Sequence, residues 1–309
     1  MKPLVTKNHR NYLISIIIPS YNRGRLIAET INSVLNQSYE KWELLIVDDG
    51  SKDNTDQVIN SFLKDHRIRY VKRPKNRPGG GNAARNYGFE ISRGEYIKWL
   101  DSDDLLAPHC LEKQMELMQE GGYDVVFSRS RFFSKKDEYG NFTWDKYWSE
   151  SFPKDNPFEN YLFGKIRFST ADALWSVKFI GEASPFKEDL KNSQEWLMYI
   201  TQLVKNPTYL IDGEVLVYSR MHSGQMHNKK RLSLHYRHQM LARYFAIRSL
   251  KKEGKLNYLR FKYLYKNMAL NFIAPIRKYK FKFLFTNLVI LLGTLFLYLG
   301  TFLKKSVYE

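Results

Sequence analysis

Along the chain, short apolar runs alternate with stretches of helical period. Leu13–Ile18 (LISIII) is an apolar run that Pro19 ends, which predicts a buried parallel strand. Between Arg25 and Tyr39, the apolar residues Ile27, Ile31, Val34 and Leu35 recur at helical spacing. Trp42–Val47 predicts a second strand, and Ser51 and Asp53 are candidate caps for a helix whose apolar face is Val58, Ile59, Phe62 and Leu63. Ile68–Val71 reads as a short strand. The Gly- and Pro-rich loop Pro74–Asn82 leads into a helix from about Ala83 to Ser92, and Tyr96–Leu100 is the next strand. A helix from Pro108 to about Gln119, a strand at Asp124–Ser128, a helix from about Gln194 to Val204 and a strand at Tyr209–Tyr218 follow. The segment Phe132–Lys191 is irregular and aromatic (Trp144, Tyr147, Trp148, Trp175), suited equally to shaping a pocket or to packing. From about Leu232 to Lys282 the chain is helical and basic. No internal repeat is present. The alternation predicts an α/β fold with a doubly wound, mostly parallel sheet flanked by helices, rather than a sandwich.

Composition bounds this picture. A chain of 309 residues holds one large domain and an appendage, and 43% hydrophobic with 15% aromatic residues excludes global disorder. The net charge of +17 suggests nucleic acid until it is mapped. Residues 1–219 hold 30 Lys/Arg and 30 Asp/Glu, whereas residues 220–309 hold 19 Lys/Arg against Glu253 and Glu309 alone. The excess therefore belongs to the end of the chain, where Phe283–Leu303 runs 21 residues without a charge between basic flanks. That length suits a bilayer span, while Thr286, Asn287, Gly293, Thr294, Gly300 and Thr301 dilute it toward an in-plane helix. A buried helix packed on the domain or on a second subunit is the other reading. The expected division is 1–225 for the α/β domain, 226–282 for a basic helical extension and 283–303 for the apolar helix, with the flanking cations on the cytoplasmic side. The sole cysteine, Cys110, gives neither a disulfide nor a zinc framework and fits a reducing compartment. The apolar stretch at Tyr12–Pro19 is too short for a signal peptide.

Two acidic clusters carry the candidate chemistry: VDDGS at Val47–Ser51 and DSDD at Asp101–Asp104, each just past a predicted strand. Buried unpaired carboxylates are costly, and in open α/β sheets ligands bind at the strand ends. Asp-x-Asp in a turn suits a hard divalent cation whose other sites take water and phosphate oxygens. Both clusters are also compatible with ordinary turns and caps. Gly79-Gly80-Gly81 before a helix offers backbone N–H groups to a phosphate, but it is neither a P-loop nor G-x-G-x-x-G.

PSYNR (19–23), LNQSYEKWELLIVDDGSKDNT (35–55), GGGNAARNYGFEISRGEYIKWLDSDD (79–104) and QEW (194–196) together resemble the inverting family-two nucleotide-sugar glycosyltransferases over about residues 10–225. The resemblance implies the Rossmann-like GT-A fold and assigns roles. Pro19, Tyr21 and Asp49 match the nucleobase pocket, with Asp48 sharing it. Arg85 matches a basic residue near the nucleotide, Asp101 a contact to ribose or sugar, and Asp103 a ligand of Mn²⁺ or Mg²⁺. Asp104 matches a helix-starting residue. Glu195 stands where the family usually has the catalytic Asp, one methylene longer, with Glu188 as the alternative base. His222 matches a His near the diphosphate or metal.

The implied reaction is a single displacement that moves a sugar from a nucleoside-diphosphate donor to a hydroxyl of a saccharide or lipid-linked saccharide acceptor at a membrane surface, without nucleic acid. UDP is the first carrier by resemblance, with GDP and dTDP open. Two other readings stand beside it: a sugar-nucleotide nucleotidyltransferase, and a non-catalytic basic protein that binds membrane or nucleic acid. The donor sugar, the linkage and the oligomeric state are not set by the sequence.

Overall fold

The computed structural model describes residues 11–136, 141–221, 232–273 and 282–305. Strands β1 (Ile14–Ser20), β2 (Trp42–Asp48), β3 (Ile68–Lys72) and β4 (Tyr96–Trp99) lie side by side as β3-β2-β1-β4, all parallel. Every residue of β1 and β2 is buried. Helix α1 (Ile27–Leu35) covers one face with Ile31 and Val34 over Ile16 and Ile18, and α3 (Gly81–Glu90) covers the other with Phe89 near Ile17 and Leu45. Covering both faces is what makes these strands continuous apolar runs. Helix α2 (Thr55–Asn60) joins β2 to β3.

Polar residues inside the strands are matched. Ser15 Oγ donates to Glu43 Oε1 at 2.7 Å, and Arg93 donates to the same carboxylate from its backbone N–H at 2.6 Å and from Nε at 3.0 Å. Lys98 of β4 is fully buried and donates to Gln114 Oε1 (2.7 Å) and the Ala171 carbonyl (2.6 Å). Burial alone pushes its amine pKa down.

Past β4 come β5 (Leu105–Leu106), α4 (Cys110–Gly121), β6 (Val125–Lys136), β7 (Phe142–Tyr147), α5 (Pro157–Leu162), β8 (Ala173–Ser176), α6 (Val177–Ile180), α7 (Gln194–Leu203) and β9 (Tyr209–Arg220). The sheet continues β4-β8-β6-β9-β5, with β7 attached to β6. Strand β8 is antiparallel to β4 and β6, β5 to β9 and β7 to β6, while β6 and β9 are parallel. The expected parallel order thus holds for the first four strands, and the second half of the sheet is mixed. Strands β7 and β8 come from the aromatic segment that shows no period, because they are only six and four residues long.

Helices α8 (Leu232–Lys252), α9 (Tyr258–Ile273) and α10 (Lys282–Lys305) complete the described chain. Ala242, Ala246, Ile247 and Leu250 of α8 and Phe261, Leu264 and Met268 of α9 join one apolar core with Ile17, Trp99 and Tyr199. Helices α8 and α9 are therefore packed onto the core of the α/β fold. The Tyr298 ring of α10 stacks on Phe261 at 3.7 Å. Among the described residues no helix is long and apolar enough to cross a membrane.

Gly88 sets how closely α3 approaches the sheet. A Cβ there would meet Ile17 Cγ2 at 2.5 Å and Val47 Cγ2 at 3.2 Å, so only glycine allows this packing. Gly88→Ala is expected to cost about 1–3 kcal/mol of stability, the usual penalty of overpacking, as measured by urea unfolding. An unchanged midpoint would show that α3 has room to lift.

Candidate active site

The carboxyl ends of β1, β2 and β4 lie next to one another, since β1 pairs with both of the others. Their loops are tied together: Asn22 N–H donates to Ser51 Oγ (2.9 Å), Lys52 N–H to Asn22 Oδ1 (2.8 Å), Gly24 N–H to Asp53 Oδ2 (3.1 Å) and Arg23 N–H to Thr55 Oγ1 (2.8 Å). Ser51 and Asp53 thus hold the neighbouring loop, and the cap position of α2 falls on Asn54. Pro19 is buried at the end of β1, and Tyr21 beside it is 51% exposed.

The two aspartates after β2 do different work. Asp48 is fully buried, and its carboxylate accepts from Gly50 N–H (3.0 Å), Ser51 N–H (3.0 Å), the Ser51 hydroxyl and Lys72 Nζ (3.2 Å). These partners tie it into the turn that follows β2. Asp49 points the other way and pairs with Arg73, whose Nη1 is held by the carbonyls of Pro74 (2.8 Å) and Arg77 (2.6 Å).

After β4 the three carboxylates also separate. Asp101 Oδ1 accepts from Arg85 Nη2 at 2.6 Å, and the buried Arg85 guanidinium lies over the Phe186 ring. A Cβ on Gly81 would approach Arg85 Nη1 to 3.1 Å, so the bare glycine at the start of α3 leaves room for that side chain. Asp103 faces Arg23 at 3.5 Å, and its backbone carbonyl accepts from Arg220 Nε at 3.1 Å. Asp104 is buried and accepts from Ser219 Oγ (3.1 Å) and Arg220 N–H (3.0 Å). It is not a helix cap, because α4 begins after His109. Burial and the charges of Asp103 and Asp101 push the Asp104 carboxyl well up. Anionic charge is thus concentrated at this strand end.

Glu195 comes into the same neighbourhood from the first turn of α7. It is enclosed by protein except for a part of its surface. Burial and the nearby Asp101 charge push its pKa up to about 8, with Arg85 opposing, Asp172 adding and the Thr170 hydroxyl opposing. A carboxyl group tuned to that range is suited to exchanging a proton near neutral pH. Glu188, the alternative base, is held by Arg77 Nη1 at 3.3 Å and Asn86 Nδ2 at 3.1 Å, which makes it a tether to α3. His222 lies outside the described residues. Among those described, no three His, Cys, Asp or Glu side chains form a group that would hold a metal ion.

Several contributors carry no motif. Asp172 is buried, accepts from Ser130 Oγ and Ser169 N–H (2.7 Å), and is pushed up to about 6 by burial. Arg73 and Arg220 are ordinary basic residues in the sequence, Arg23 ends the PSYNR motif with no role assigned to it, and only the fold brings all three to the aspartates. Lys191 Nζ, donating to the Gly79 carbonyl, ties the glycine loop to the segment before α7. A cavity of about 300 Å³ near Trp42, Lys41, His66 and Arg67 lies at the opposite, amino-terminal end of β1 and β2, away from these carboxylates.

Comparison with known proteins identifies the family. The family model for glycosyl transferase family 2 matches residues 15–175, just over half of the chain. An uncharacterized glycosyltransferase of Rickettsia typhi is 30% identical over 233 residues, covering 72% of this chain and 68% of its own length. The Escherichia coli enzyme WfgD, described as a UDP-Glc:alpha-D-GlcNAc-diphosphoundecaprenol beta-1,3-glucosyltransferase, is 36% identical over 132 residues, 43% of this chain and 51% of its own. The chain spans less than half the length of other relatives it matches, at 31%, 42% and 37%. Among solved structures, Staphylococcus aureus TarS with UDP-GlcNAc has a TM-score of 0.67 at 18% identity, covering 91% of this chain and 81% of that one. The mannosyltransferase PcManGT of Pyrobaculum calidifontis, in complex with GDP-Man and Mn²⁺, has a TM-score of 0.54 at 17% identity, covering 87% of this chain and 76% of that one. Likeness at such identity shows the shared GT-A fold. From the family match over residues 15–175 and the relative of Rickettsia typhi, it follows that this chain belongs to glycosyl transferase family 2.

Proposed function

We propose that the chain is a metal-dependent inverting glycosyltransferase that moves a sugar from a UDP-sugar to a hydroxyl of a lipid-linked saccharide, in surface polysaccharide synthesis on the cytoplasmic face of the cell membrane. The carrying observation is that Glu195 shares its surroundings with Asp101 and Arg85, next to the strand end that bears Asp49. A proton acceptor thus sits beside groups fit to hold a phosphorylated sugar. The lipid-linked acceptor is supported by what WfgD is named to act on, and the nucleotide by the UDP-GlcNAc complex of TarS.

In this reading Tyr21 offers its exposed ring, and Asp49 its carboxylate, to the base. Arg85 and the backbone N–H groups at the start of α3 face the diphosphate, where fixed donors stabilise charge developing on the leaving group. Asp101 orients ribose or sugar. The chemistry of the donors suits a divalent cation: Asp101 and Asp103 bring carboxylate oxygens to the same strand end, and oxygen donors suit Mn²⁺ or Mg²⁺. Asp103 would hold the ion, with His222 as its proposed companion. When bound, the ion neutralises charge on the departing diphosphate. Glu195 takes the proton of the acceptor hydroxyl as that oxygen attacks the anomeric carbon opposite the leaving group. No covalent intermediate forms on the protein, and the anomeric centre inverts.

Three outcomes follow. Glu195→Gln should keep donor binding, measured by calorimetry, while transfer falls by about 10²-fold or more; full transfer would remove Glu195 from the chemistry. Asp103→Ala should abolish the dependence of turnover on added Mn²⁺ or Mg²⁺, and a retained dependence would move the ion elsewhere. The pH dependence has two signs. A base acts deprotonated, so transfer should rise with pH through about 8. Because the folded pKa of Glu195 lies above its ordinary value, the native state binds the extra proton, and stability should fall as pH rises from about 4.5 to about 8. Urea midpoints across this range should show that decline in the parent and a shallower one in Glu195→Gln.

A further inference from the structure

Helix α10 has two apolar faces, and only one is packed. Ile290, Leu291, Leu295 and Tyr298 lie against the core built by α8 and α9. Leu288, Val289, Leu292, Phe296 and Leu299 are exposed, Phe296 at 72%, and their spacing places them along one stripe of the helix. On α9, Leu259, Leu270 and Ile273 are exposed on a stripe that also carries the exposed Lys262 and Lys266. Of thirteen large hydrophobic side chains exposed among the described residues, nine belong to α9 and α10. Scattered apolar residues need no explanation, but such a concentration marks a contact surface.

Charge selects the occupant. The segment 220–309 carries 19 Lys/Arg and only two acidic residues; Lys262 and Lys266 lie on the exposed stripe of α9, and Lys251 Nζ donates to the Leu297 carbonyl of α10 at 3.2 Å. Two copies meeting here would bring these cations together, whereas an anionic lipid surface would neutralise them. We infer that the α9–α10 face is the docking surface for an anionic bilayer, with α10 lying in the plane of the interface instead of crossing it.

The docking surface is rigidly connected to the chemistry. Arg243 of α8 lies 4.6 Å over the Trp196 ring and donates to Ser193 Oγ at 3.2 Å, and these two residues flank Gln194 and Glu195 at the start of α7. Helix α8, on which α9 and α10 pack, is thus joined to the helix that carries the proton acceptor. The inference rests on the lipid-linked acceptor reading for its purpose, but its test requires neither donor nor acceptor.

The experiment is co-sedimentation of the full chain with vesicles of phosphatidylcholine alone or mixed with phosphatidylglycerol. Binding should favour the mixed vesicles and weaken with salt. Leu292→Glu with Phe296→Glu should reduce it about tenfold or more with the circular dichroism spectrum unchanged, and Lys262→Glu with Lys266→Glu should remove most of the preference for phosphatidylglycerol. Equal binding by all variants, or no binding at all, would overturn the inference. So would a dimer in sedimentation velocity that Phe296→Glu dissolves, since that assigns the face to a second copy. Intact vesicle binding in a chain without transferase activity would refute the proposed function and leave this surface standing.

Discussion

Mutual repulsion of carboxylates gathered at one edge of a sheet is the constraint around which this molecule is organised. Asp49, Asp101 and Asp103 each face an arginine from a different part of the chain: Arg73 after β3, Arg85 in α3 and Arg23 after β1. Such pairs are partly solvated and contribute little to stability individually. Their effect is to hold negative groups at fixed positions along the strand ends. Burial first, and the neighbouring carboxylate charges second, raise the proton affinity of Asp104 and Glu195.

The fold supplies this arrangement through backbone registry. The parallel pairing of β1 with β2 and β4 brings loops that are distant in sequence to one line. The close approach of α3 at Gly88 then sets the depth from which Arg85 reaches Asp101. Glu195 arrives from a different layer, on a helix backed by α8. The C-terminal helices therefore participate in the site indirectly by supporting α7, which explains why they share its core.

The first four strands were legible because both their faces are buried, so apolar runs and strands coincide. Helix α7 and strand β9 were legible from period and length. Strands β7 and β8 were not, since six or four residues among aromatic neighbours carry no usable period. Of the candidate site, Asp49, Arg85, Asp101, Asp103 and Glu195 were readable because acidic strand ends and the family motifs mark them. The partners Arg73 and Arg220 were not, because neither residue carries a local signature of its partner. In a DDGS turn the sequence likewise does not say which carboxylate the turn holds; the structure gives Asp48 the backbone N–H groups of Gly50 and Ser51, and Asp49 the Arg73 guanidinium. Asp172 and Lys98 sit inside otherwise apolar segments, and only burial in three dimensions reveals that they are matched.

The most direct test of convergence at the strand ends is calorimetric titration of UDP into the protein with and without Mn²⁺, repeated for Asp49→Asn and Asp103→Asn. The account predicts tighter uptake with the cation in the parent, loss of that gain in Asp103→Asn, and weaker uptake under both conditions in Asp49→Asn. Uptake that is indifferent to Mn²⁺ and to both substitutions would mean that these carboxylates do not surround one nucleotide.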